Sequence, residues 1–68
     1  MHQRFLFITA VIDCGTLHWE YQVEGLSAQR LNHDEDVAHW TDADVIQVTM
    51  AMLDVPEDQR SLIKVEVW

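Results

Sequence analysis

Leu17-His18-Trp19-Glu20-Tyr21-Gln22-Val23 is the stretch that decides the fold. Leu17, Trp19, Tyr21 and Val23 fall at every second position, separated by His18, Glu20 and Gln22. A period of two sends alternate side chains to opposite faces, so the segment reads as a strand with one buried face and one wet face. Just before it, Asp13-Cys14-Gly15-Thr16 supplies a turn whose glycine tolerates positive φ. Before that turn, residues 4–13 are rich in Phe, Ile and Val and read as another strand. Its alternation puts Leu6, Ile8, Ala10 and Ile12 on one side, and Phe5, Phe7, Thr9 and Val11 on the other. Both sides are largely apolar, which predicts a central strand covered twice. Residues 4–13 and 16–23 are therefore expected to form a hairpin that ends near Glu24-Gly25.

Toward the C-terminus the period changes. Thr41 can cap a helix, with Asp42 and Asp44 placed where the positive end of the helix dipole favours carboxylates. The helix is expected over residues 42–54 and is stopped by Pro56. At 100° per residue, Ala43, Ile46, Met50 and Leu53 form one apolar stripe and Val45, Val48 and Met52 a second. Asp44, Gln47, Ala51 and Asp54 make the polar strip. Ile46, Val48, Met50 and Met52 also alternate, so a strand competes with the helix here. Pro56–Arg60 reads as a tight helical turn with Pro56 at its start. Residues 62–68 close the chain as a strand, with Ile63, Val65 and Val67 inward and Lys64 and Glu66 outward.

Between hairpin and helix, Ser27–His33 shows little apolar periodicity and reads as a loop or short helix. His33-Asp34-Glu35-Asp36 reads as a solvated turn. The expected architecture is one α+β domain of order β-β-α-β. Its last strand returns beside the first, in a three-stranded, mainly antiparallel sheet with one helix on one face.

Sixty-eight residues, 49% of them apolar and three of them Trp, suffice for one core but leave little room for a walled active site. The single cysteine, Cys14, excludes an internal disulfide and favours a reducing compartment. The apolar run Phe5–Ile12 is too short to span a bilayer. Asp13 suits poorly the position before a lipoprotein-type cysteine, so cytoplasm is the expected location.

No motif marks an enzyme. The group His33, Asp34, Asp36, His39, Asp42 and Asp44 lacks zinc spacing and the ordered carboxylates of a calcium loop, so no metal is expected. Cys14 and His18 have no orienting third group, and phosphate-loop and dinucleotide signatures are missing. No cofactor and no catalysis are expected.

Charge is more informative. The formal net charge is −8. Residues 31–58 hold Asp34, Glu35, Asp36, Asp42, Asp44, Asp54, Glu57 and Asp58 with no Lys or Arg, whereas the other positions carry four acids against four bases. Direct binding to nucleic acid or to an anionic membrane is therefore disfavoured. A band of one sign can instead imitate nucleic-acid phosphates and occupy the basic surface of a larger protein. In size, charge and lack of motif the chain resembles the small acidic inhibitors of bacteriophages, anti-CRISPR proteins among them. That likeness aligns no residues; it implies a partner-binding inhibitor or adaptor working in a host cytoplasm. The alternative expectation is an assembly protein or homodimer, held through an apolar surface of Phe5, Phe7, Val11, Val45, Val48, Met52 and Trp68, with Leu62 beside them.

Overall fold

The computed structural model describes residues 3–68. It is an α+β fold with the element order β1 (Phe5–Asp13), β2 (Thr16–Val23), β3 (Gln29–Asp36), α1 (Asp42–Leu53), a 3-10 segment (Glu57–Leu62) and β4 (Ile63–Val67). The sheet has four strands in the order β3-β2-β1-β4 rather than the expected three. It is mixed: β1 pairs antiparallel with β2, and β2 with β3, whereas β4 runs parallel to β1. Helix α1 returns the chain to the start of β1, as a parallel neighbour requires.

The strand that sequence reading missed is β3. It covers the expected loop and acidic turn, and only Leu31 and His33 along it are even partly buried. An edge strand needs little apolar alternation, because one flank faces water and charge there deters pairing with other chains. The acids that suggested a turn are thus the edge of a sheet.

A bulge corrects the reading of β1. Phe5 pairs with Val23 but Phe7 pairs with Gln22, so one extra residue sits on β1. The local strand rotates. Phe5 turns into the helix-side core at 3% exposure, with its ring 6.1 Å from Tyr21, and Leu6 turns out. The Gln59 side chain holds this irregular backbone, its Oε1 accepting from the Phe5 N–H at 2.8 Å.

The main core lies on one side of the sheet. Ile8, Ala10, Leu17 and Trp19 meet Val45 and Leu53 of the helix, with Val37 and Val55 closing the ends. The opposite face is covered only in part: Val11 and His18 are buried there at 1% and 6% exposure, with the Trp68 ring 5.9 Å from His18, while the helix packs on the other face.

Helix α1 starts with a reciprocal cap. Thr41 Oγ1 accepts from the Asp44 N–H, and Asp44 Oδ2 accepts from the Thr41 N–H. Its buried line is Val45, Thr49 and Leu53. Neither expected apolar stripe is buried as a whole: in the first Ala43 is exposed and Ile46 and Met50 are half-buried, and in the second Met52 is exposed. The helix is rotated because of Thr49. The Trp19 indole N–H donates to Thr49 Oγ1 at 2.7 Å, and the Thr49 hydroxyl donates to the Val45 carbonyl at 2.7 Å. Both side chains are fully buried, so each satisfies the other's polar group where water cannot reach.

Thr49→Val keeps the shape but orphans the indole donor, and should cost about 1–3 kcal/mol in urea unfolding. Thr49→Ser keeps the hydroxyl and loses one methyl, and should cost about 1 kcal/mol. A valine variant as stable as the native chain would mean that the pair contributes nothing.

Candidate docking surface

Strand direction decides where the acids fall. β1 and β3 run the same way, and β1 leads into the turn at Cys14-Gly15. Thr16 pairs with Asp36, and the Val37 N–H donates to the Gly15 carbonyl at 2.9 Å. Helix α1 begins at this turn end and runs back along the sheet. Asp13, Asp34, Glu35, Asp36, Asp42 and Asp44 are therefore gathered at one end of the fold, all of them exposed.

The rest of the band lies elsewhere. Asp54 caps the far end of α1, and Glu57 and Asp58 follow in the 3-10 segment. A twelve-residue helix separates the two groups by about 18 Å. The eight acids thus make two groups at opposite ends, not one continuous band.

Cations are placed only with the second group or away from both. Arg60 lies 3.9 Å from Glu57, Arg4 lies 3.6 Å from Glu24, and Lys64 lies 3.6 Å from Glu66. Arg30 Nε donates to Asn32 Oδ1. Among the described residues no Lys or Arg reaches ion-pair distance of an acid at the turn end. Some of these acids also serve the backbone. Asp36 Oδ1 accepts from the Ala38 N–H at 2.9 Å, and Asp44 completes the helix cap. Such bonds fix carboxylate positions without removing charge, which leaves a held cluster of one sign.

The apolar interface expected from the sequence breaks up in the structure. Phe5, Val11 and Val45 are buried at 3%, 1% and 0% exposure and offer nothing to a partner. Val48 is half-buried against the core. Met52 is exposed, but on the helix side beside Leu26 and Leu31. Phe7 pairs with Gln22 near one end of the face opposite the helix, whereas Trp68 lies at the other, its ring 5.9 Å from His18. Leu62 borders a depression with Arg4, Leu6 and Glu24. These residues do not form one patch.

The remaining candidate groups have structural employment. The His33 ring stands edge-on between Trp19 and Trp40, with centroid distances of 5.7 and 5.4 Å. Sequence reading missed this aromatic stack, and the alternation of Leu31 with His33 is its only trace in the chain. His18 is buried, and its Nε2 lies 2.9 Å from Glu20 Oε2. Cys14 is exposed in the turn at φ 52°, and with Gly15 at φ 79° it forms a tight two-residue hairpin loop. Among the described residues no three His, Cys, Asp or Glu side chains are grouped to hold a metal ion, and no helix is long and apolar enough to cross a membrane. No family model, curated protein or solved structure matches the chain.

Asp54 is doubly unfavourable where it stands. It adopts φ 55°, and its charge sits at the negative end of the helix dipole. Asp54→Asn keeps a residue that tolerates this backbone and removes the repulsion. It should raise stability by about 0.5 kcal/mol, read as a shift in the urea midpoint; no shift would mean that solvent screens the dipole there.

Proposed function

We propose that the protein is a non-catalytic binding module, an inhibitor or adaptor that sets the acidic turn end against a basic, nucleic-acid-binding surface of a larger protein. The observation that carries this reading is the convergence of Asp13, Asp34, Glu35, Asp36, Asp42 and Asp44 at one end of the sheet with no cation among the described residues paired to them. Helix capping accounts for Asp44, the helix dipole for Asp42 and a local turn for Asp36, but none of these needs requires Asp13, Asp34 or Glu35. A like-signed cluster on a rigid strand and a capped helix end keeps its geometry on docking, which limits the entropy cost of association. It also steers the approach of a positively charged partner. Asp54, Glu57 and Asp58 stand about 18 Å away and give a long basic groove a second place of contact.

Affinity capture from a host lysate tests the proposal. The native chain should retain nucleic-acid-binding proteins that elute with salt. The variant Asp34→Asn, Glu35→Gln, Asp36→Asn should lose them while unfolding at the same urea concentration, because Asn at 36 preserves the acceptor for Ala38. With a captured partner in hand, its association rate should fall about tenfold. Capture that resists both salt and the triple variant would overturn the reading.

A further inference from the structure

The two edges of the sheet are built differently. β3 carries Asp34, Glu35 and Asp36, so two copies meeting there would set like charges against each other. β4, the sequence Ile63-Lys64-Val65-Glu66-Val67, has none of that protection. It contains no proline and no bulge, and among the described residues nothing pairs with its outer side. Val67 is 73% exposed on the helix side of the sheet.

The ladder with β1 fixes which backbone groups of β4 remain available. Ile12 pairs with Val67, and the Trp68 N–H donates to the Ile12 carbonyl at 2.8 Å. In a parallel ladder alternate residues point their backbone groups to the same neighbour, so Lys64, Glu66 and Trp68 face β1. Ile63, Val65 and Val67 therefore direct theirs outward. The Ile63 N–H is already used, donating to the Arg60 carbonyl. The Ile63 carbonyl and both groups of Val65 and Val67 are left over.

We propose that this edge pairs with the same edge of a second copy of the chain, antiparallel about a two-fold axis through Val65. The sequence is self-complementary in that register. Each Lys64 stands opposite the other copy's Glu66, and Ile63 stands opposite Val67. The Val65 residues exchange both backbone bonds, and each Val67 N–H donates to the other Ile63 carbonyl, so the occupied Ile63 N–H is not needed. The Lys–Glu pairs fall at the sites without backbone bonds, where side chains approach most closely. The exposed Val67 comes to lie beside the other copy's groove along α1, which Ala43, Met50 and Ala51 line. Antiparallel pairing also sends the two acidic turn ends in opposite directions, so the dimer presents both.

Sedimentation of the native chain over a concentration series, at low and high salt, tests the pairing. A monomer–dimer equilibrium is expected, strengthened by salt because each copy carries a formal charge of −8; docking onto a basic partner responds in the opposite sense, so the two proposals fail separately. Lys64→Glu alone and Glu66→Lys alone should each weaken dimerisation about tenfold. The first change makes both edge charges negative and the second makes both positive. An equimolar mixture of the two variants should therefore restore dimerisation as a heterodimer, in which opposite charges meet at both cross-strand sites. Far-UV circular dichroism of each variant checks that the fold is retained. A native chain that stays monomeric into the millimolar range overturns the proposal. So does a dimer that neither single change weakens, or a mixture no more dimeric than its components.

Discussion

The hydrogen bond from Trp19 to Thr49 fixes how the two layers of this protein meet. Trp19 lies on a strand flanked on both sides, and its indole must find an acceptor once it is sealed from water. Thr49 provides one from the middle of the helix, while its own proton goes to the carbonyl one turn back. The direction of that bond sets the rotation of α1 about its axis. This rotation decides that Val45 and Leu53 point inward and that Ala43 and Ala51 face water. A greasy residue at position 49 would fill the same volume without specifying any single angle.

Much of the fold could be read from the chain because its main elements announce themselves locally. The period-two pattern of 17–23 and the Cys14-Gly15 turn specify the hairpin. Thr41, Asp44 and Pro56 bracket the helix. The features that escaped notice depend on distant neighbours. Residues 29–36 are a strand because β2 offers them a free edge, not because they prefer one. Phe5 is core because of a one-residue irregularity whose backbone is tied down by Gln59, 54 positions further along the chain. Thr49 was invisible as a core residue because hydropathy counts its hydroxyl as a cost until the partner is known. The acidic composition was plain from the sequence, but its division into two groups was not, since that follows from the length and direction of α1.

Charge in this molecule is organised by strand and by end. Arg4, Arg60 and Lys64 are committed to Glu24, Glu57 and Glu66, leaving the turn end as a region of uncompensated negative potential. The same arrangement makes the edges unequal. One edge repels its own kind and the other is balanced, so the proposed contacts between copies and with a basic protein would draw on separate surfaces. Under both proposals a domain this small would engage two partners without burying one beneath the other.

The parallel pairing of β1 with β4 has a kinetic side. Its first bridge joins Ile8 to Ile63, and closing a loop of that length costs about 3.5 kcal/mol in its length-dependent part alone. The hairpin can zip locally within microseconds, whereas the β1–β4 ladder must wait for the intervening chain to collapse. During that interval β1, one of the most apolar segments of the molecule, has a bare flank. Crowded, partly folded chains would meet there first, so misassembly during refolding should begin at the strand that ends up most deeply enclosed.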